Sequence, residues 1–349
     1  MTGLQVQCAL GPVMLDVAGL ELTAEERDRL LHPAAGGVIL FARNYSDPEQ
    51  VARLTAEIHA LRTPALLIAV DHEGGRVQRF RDAFTRLPPM REIGRFHEND
   101  AAAARALAHS VGAVLAYELR ACGVDFSFAP VLDLDRGRSG VIGDRAFHSD
   151  PEIVGELASA LVAGLAIGGM SAVGKHFPGH GFAEADSHTA MPVDDRPLSE
   201  LERDMQPFVR LVTEGLTGIM PAHVRYPAAD SQPAGYSRFW LHSVLRERLG
   251  FDGTIFSDDL TMVGAHVAGG IVERGWLALD AGCDMVLVCN DAAAAGVLLD
   301  GLKRACSPVA LTRFARLHGR ARSIGFSGLG RSPSYSAARD SVLNRPSVA

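Results

Sequence analysis

The stretch Ser171-Ala172-Val173-Gly174-Lys175-His176, running on into Phe177-Pro178-Gly179-His180-Gly181, decides the fold. Its first half has the length and character of a buried strand and ends on two polar residues. Pro178 and the paired glycines then exclude a continuous helix, so Lys175 and His176 stand at a strand end where the chain leaves on a loop. The pattern repeats outward in both directions. Candidate strands cover 13–17, 37–41, 66–70, 124–130, 171–176, 218–222, 254–257 and 285–289, with stretches of helical period at 48–62, 101–121, 151–167, 201–213 and 269–281. Eight such α/β units are expected to close into a single-domain (β/α)8 TIM-type barrel over residues 1–325, with an open doubly wound sheet as the alternative. Residues 326–349, rich in Ser, Arg, Gly and Pro, are expected to form a C-terminal extension that drapes over the barrel or stays partly disordered.

Polar residues interrupt the strands at one end. Asp16, Asp71, Asp133, Lys175, His176, His223, Asp258 and Asn290 fall at or just beyond the C-terminal ends of the candidate strands, where barrel enzymes assemble their sites. Some of them are expected to be helix caps or loop ties instead, since such loops use Asp and Asn for local hydrogen bonding. Two connections, 133–150 and 177–200, carry few groups able to form a core and read as lids or binding loops.

At 349 residues the chain fits one barrel of roughly 250 residues plus insertions. A net charge of -7, with no basic tract at either end, gives no electrostatic reason to expect a nucleic-acid partner. The first residues lack a positively charged start and run into Asp16, so neither a secretory signal nor stable membrane insertion is expected, and cytoplasmic residence is the default. Cys8, Cys122, Cys283, Cys289 and Cys306 are odd in number and scattered, without disulfide-framework or zinc-cluster spacing. The cluster of His176, His180, His188 and Asp186 admits a metal-site reading, but Pro178 and the glycines exclude a helix here, so the His residues do not share a helical face as they do in helix-borne zinc motifs. No metal is expected. Gly36-Gly37 and Gly74-Gly75 do not form a dinucleotide or phosphate-loop pattern, so no cofactor is expected either.

The motif Lys175-His176-Phe177-Pro178-Gly179-His180-Gly181, followed after four residues by Asp186-Ser187-His188, closely resembles the bacterial β-N-acetylglucosaminidases of glycoside hydrolase family 3, in particular the cytoplasmic enzymes that recycle cell-wall muropeptides. Further matches stand in the family's order: Asp71-His72-Glu73-Gly74-Gly75-Arg76-Val77-Gln78-Arg79, Gly143-Asp144-Arg145-Ala146-Phe147 and Phe256-Ser257-Asp258-Asp259-Leu260. His72 departs from the Gln often found there, and one barrel without a further domain fits the compact Gram-negative type.

On its chemistry alone, either Asp258 or Asp259 could be a nucleophile, and both could be structural. The resemblance implies that Asp258 attacks the anomeric carbon and forms a glycosyl-enzyme, with net retention. It implies His188 as general acid and base, oriented by Asp186, and Asp71, Arg79, Arg145, Lys175 and His176 as holders of the nonreducing sugar. The expected activity is exo-acting hydrolysis of terminal β-1,4-linked N-acetylglucosamine from a small muropeptide or chitooligosaccharide-like substrate, by a monomer. β-Glucosidase activity, phosphorolysis and non-catalytic carbohydrate binding are the alternatives.

Overall fold

The computed structural model describes residues 6–184, 191–320 and 324–345. Eight strands form a closed barrel: β1 (Val13–Leu15), β2 (Ala35–Leu40), β3 (Leu67–Val70), β4 (Phe126–Ser127), β5 (Ser171–Phe177), β6 (Gly218–Pro221), β7 (Thr254–Asp259) and β8 (Met285–Val288). Each pairs in parallel with its neighbours in sequence, and β8 closes on β1 with Val286 opposite Val13. Closure removes both sheet edges and overturns the open doubly wound alternative. Every residue of β3 is buried, as a strand covered on both faces requires. Across the barrel, Phe126, Phe128 and Phe256 pack with ring centroids 5.2 to 5.5 Å apart, so the interior is filled rather than hollow.

Around the barrel run α1 (Ala24–Leu31), α2 (Pro48–Ala60), α3 (Met90–His97), α4 (Ala101–Ala121), α5 (Pro151–Ile167), α6 (Leu198–Thr213), α7 (Ile271–Ala281), α8 (Ala292–Gly301), α9 (Pro308–Ala315) and α10 (Pro333–Leu343). A π-helical turn over Phe239–Arg248 stands between β6 and β7. Helices α4 and α5 coincide with their expected spans because each start is chemically marked: Asp100 and Asp150 accept backbone N–H bonds as N-caps, and Pro151 sits in the first turn of α5. These two helices touch closely, since a Cβ on Gly164 would lie 2.0 Å from the carbonyl oxygen of His109.

Several expected elements are shorter in the structure, two of them for a clear chemical reason. Helix α2 stops at Ala60 rather than at Arg62, whose buried guanidinium instead donates to the carbonyls of Leu30, His32, Ala35, Cys8 and Ala9 beneath the barrel. The run 124–130 yields only Phe126–Ser127, because Pro130 has no N–H to give a ladder, and pairing resumes as one bridge between Val131 and Lys175. Helix α10 lies in the C-terminal stretch, whose sequence has little periodicity; Ser332 caps it, and Tyr335 donates to the buried Glu118 of α4 at 2.8 Å. No helix among the described residues is long and apolar enough to cross a membrane.

Candidate active site

The C-terminal ends of the strands surround a cavity of about 720 Å3. Two local irregularities aim side chains into it. At the end of β5, Met220 lies opposite Lys175 but Pro221 opposite Phe177, so β5 carries one extra residue, and Lys175 and His176 both reach the cavity wall. On β7, Phe256 pairs with Met285 and Asp259 with Leu287, again one residue in excess. Strict alternation would turn Asp259 away from the face of Asp258; with the bulge, both carboxylates border the cavity.

One side of the cavity is an ionic lattice. Lys175 Nζ donates to Asp71 Oδ1 at 2.7 Å and pairs with Glu73 Oε1 at 2.6 Å. Glu73 also accepts a two-pronged contact from Arg145, with both bonds 2.8 Å. Arg79 lies 3.6 Å from the other oxygen of Asp71. Burial would raise the Glu73 carboxyl, but the adjoining Arg145 and Lys175 hold it well below the ordinary carboxylate range. Burial likewise acts to lower the Lys175 ammonium and the Arg145 guanidinium, and their carboxylate partners reverse it in both, so the cluster stays ionised. At its edge, the His176 Nδ1 lies 2.7 Å from Asp133 Oδ2, which fixes the ring. Asp133 is fully buried; burial pushes its carboxyl up, and His176 and His180 bring it below its usual value.

The two aspartates of β7 differ sharply. Burial raises the Asp258 carboxyl, but His223, His176, the Asp259 backbone N–H and Lys175 together hold it below its ordinary value, so it is a carboxylate at neutral pH. Asp259 is pushed up to about 6 by burial and by its charged neighbour. Its oxygens are already occupied, accepting from Thr261 N at 3.0 Å, Thr261 Oγ1 at 2.8 Å and Cys289 N at 3.1 Å. An ionised acceptor facing the cavity stands beside one that ties the loop.

The glycosyl hydrolase family 3 N terminal domain matches residues 9–320 of the chain. The chain belongs to glycosyl hydrolase family 3. The beta-hexosaminidases of Nitrosospira multiformis and Thiobacillus denitrificans are relatives, 57% identical over 96% of this chain and 96% of theirs, and 60% identical over 89% and 87%, respectively. The crystal structure of NagZ from Neisseria gonorrhoeae, in complex with N-trifluoroacetyl-D-glucosamine, superposes with a TM-score of 0.92 at 51% identity, covering 97% of this chain and 98% of that one. This family 3 enzyme is a glycoside hydrolase of the β-hexosaminidase class.

Of the residues singled out in the sequence of this family 3 chain, Asp71, Arg79, Arg145, Lys175, His176 and Asp258 converge on the one cavity, from four separate strand–helix connections and their strands. Asp186 and His188 lie outside the described residues; the chain is followed to Glu184, which lines the cavity mouth. Asp16 and Asn290 meet at the rim, where Arg43 pairs with Asp16 and donates to Asn290 Oδ1 at 2.8 Å. His223, just past the end of β6, is fully buried and makes a 3.1 Å contact from Nε2 to the carbonyl of Asp259. Two residues that organise the site had received no role: Glu73 and Asp133. A signal existed for both. Asp71 and Glu73 are two apart in an extended segment and so share a face, while His72 turns the other way, towards Phe80 and Phe84. Asp133 stands in the apolar run Val131-Leu132-Asp133-Leu134, where a charge needs a buried partner.

Proposed function

We propose that this enzyme removes terminal nonreducing β-1,4-linked N-acetylglucosamine from anhydromuramyl muropeptides by a retaining, two-step displacement. The observation that carries this reading is that Asp258, its carboxyl held below its ordinary value by His223, His176 and Lys175, borders the same cavity as the Asp71–Lys175–Glu73–Arg145 lattice. That wall presents fixed donors and acceptors, as recognition of sugar hydroxyls by direction demands. The aminosugar analogue held by the gonococcal relative supports an N-acetylglucosamine unit as the occupant.

Asp71, Arg79, Arg145, Lys175 and His176 hold the sugar. In the first step the Asp258 carboxylate bonds to the anomeric carbon while the glycosidic bond breaks, and the His188 imidazolium delivers its proton to the departing oxygen. In the second, neutral His188 takes a proton from water, which attacks the same carbon and releases Asp258 with net retention. Asp186 orients the His188 ring in both steps.

Purified enzyme incubated with N-acetylglucosaminyl-anhydromuramyl peptide is expected to release free N-acetylglucosamine, with the same product in phosphate buffer. A sugar phosphate as product would replace hydrolysis by phosphorolysis, and turnover of β-glucosides alone would reject the substrate. Asp258→Ala is expected to lower turnover on the order of a thousand-fold or more while the protein stays folded. A fluorinated mechanism-based glycoside is expected to label Asp258, read by peptide mass analysis; label on Asp259 would reverse the assignment.

A further inference from the structure

His180 belongs to the sequence motif that opens with Lys175, and nothing in the mechanism above uses it. It is 2% exposed, yet neither Nδ1 nor Nε2 of its ring has a hydrogen-bond partner among the described residues. Its place is nonetheless fixed: its backbone N–H donates to Asp133 Oδ1 at 2.7 Å, and its ring stands edge-on to His176, with centroids 5.8 Å apart. The ring borders the cavity. Other buried imidazoles with a free nitrogen have different surroundings. His72 is enclosed by Phe80 and Phe84, and His223 spends one nitrogen on the Asp259 carbonyl; neither lines the cavity. Among the described residues, His180 alone combines two unpartnered ring nitrogens with a position on the cavity wall.

Buried polar atoms are seldom left unpaired, because each unmade bond costs the desolvation of the group without return. No group among the described residues hydrogen-bonds this ring, which leaves what enters the cavity as its partner. We propose that His180 is a further sugar-binding residue, its ring hydrogen-bonded to a polar substituent of the sugar that fills the cavity. The proposal rests on the reading of the cavity as a sugar site. Burial and the neighbouring His176 hold the His180 ring below its ordinary pKa, so it is neutral at pH 7. A neutral imidazole offers one donor and one acceptor, which suits a hydroxyl or an acetamido group, each of which can both give and take a hydrogen bond.

The test is a binding cycle by calorimetry. N-acetylglucosamine and analogues that each lack one polar substituent are titrated into wild-type enzyme and into His180→Phe, which keeps a planar ring against His176 without the nitrogens. One analogue is expected to bind wild type about tenfold more weakly than the parent sugar, and that loss is expected to vanish in the variant. Equal losses in both proteins across the whole series would mean that an ordered water, not the sugar, satisfies the ring, and would overturn the proposal alone. Absence of any sugar binding to folded wild type would overturn it together with the function it rests on. A second measurement needs no variant: the 15N shifts of the His180 ring in wild type are expected to move on addition of the parent sugar and to stay put with the analogue lacking the contacted group. Shifts that do not discriminate between the two count against the contact.

Discussion

Asp258 and Asp259 share a strand end and a functional group, and what separates them is the company each keeps. Asp258 faces His176, His223 and Lys175, whereas Asp259 is consumed by Thr261 and Cys289. The sequence could not distinguish them on chemistry, because the bulge and the bonds to Thr261 and Cys289 exist only once the barrel closes. Glu73 makes the same point about a residue that needs no contact with substrate to matter. It joins two cations, and Glu73→Gln leaves Arg145 and Lys175 buried with one carboxylate fewer. The KM for an aryl N-acetylglucosaminide is expected to rise about tenfold or more, and the alkaline limb of kcat/KM to move to lower pH as Lys175 loses an anion that holds its proton. A loss of thermal stability with both kinetic quantities unchanged would reduce Glu73 to a structural tie. His72 concerns stability instead. Burial, with Arg79 and Arg81 nearby, lowers its ring to about 3, far below the 6.5 of an open histidine. The unfolded chain therefore takes up a proton that the folded one refuses. The stability this ring allows is fully present above pH 6.5 and drains as pH falls towards 3, by up to ~1.4 kcal/mol per pH unit. In His72→Gln the slope of unfolding free energy over that window is expected to shrink by about one proton, measured by urea titrations at several pH values; parallel slopes would contradict the buried neutral ring.

At the scale of elements, what was legible followed caps and run lengths. Asp100 before Ala101 and Asp150 before Pro151 marked α4 and α5 to the residue, and the strand ends placed Asp71, Lys175 and Asp258 on one face of the barrel. Boundaries failed where tertiary demands took over: Arg62 left the helical pattern to bind five carbonyls, and Pro130 cut β4 short. Helices α1 and α3 were missed because they are only eight residues long, too short for periodicity to stand out. Helix α3 has a task beyond packing. A Cβ on Gly94 would lie 1.8 Å from the carbonyl oxygen of Phe147, and Arg91 of the same helix donates to the Gly143 carbonyl at 2.8 Å. Between those two points lies Arg145. Gly94→Ala must therefore push the helix and the segment apart, at about 1–3 kcal/mol of stability. It is expected also to raise KM by loosening the Arg145–Glu73 contact. Urea midpoints and steady-state kinetics read the two effects separately, and an unchanged KM beside a lowered midpoint would show that the strain does not reach the site.

For the molecule as a whole, the barrel divides the proposed chemistry among independent connections. The proposed nucleophile sits on β7, the proposed sugar holders gather around β3, β4 and β5, and the proposed acid–base pair Asp186–His188 belongs to the connection after β5, outside the described residues. Such a division predicts that leaving-group protonation can be removed while the nucleophile and the sugar site remain. A natural disaccharide has a poor leaving group that needs a proton as its bond breaks, whereas an activated aryloxide departs with much less help. His188→Ala is therefore expected to slow glycosylation by the disaccharide by about 10²–10⁴-fold, the range of general acid catalysis, and glycosylation by an activated aryl N-acetylglucosaminide far less. Deglycosylation also loses its base, so steady-state rates with the aryl substrate fall too and conceal the contrast. Rapid mixing resolves it, because the first release of aryl alcohol reports glycosylation alone. In Asp186→Ala the same first step is expected to weaken for the disaccharide, with sugar binding retained, since an undirected imidazole still titrates but no longer points at the glycosidic oxygen. If the His188 variant, with its fold intact, lost equal amounts of first-step rate with good and poor leaving groups, the residue would be positioning substrate rather than delivering a proton, and the acid would have to be sought among the carboxylates at the cavity mouth, of which Glu184 is the nearest in sequence.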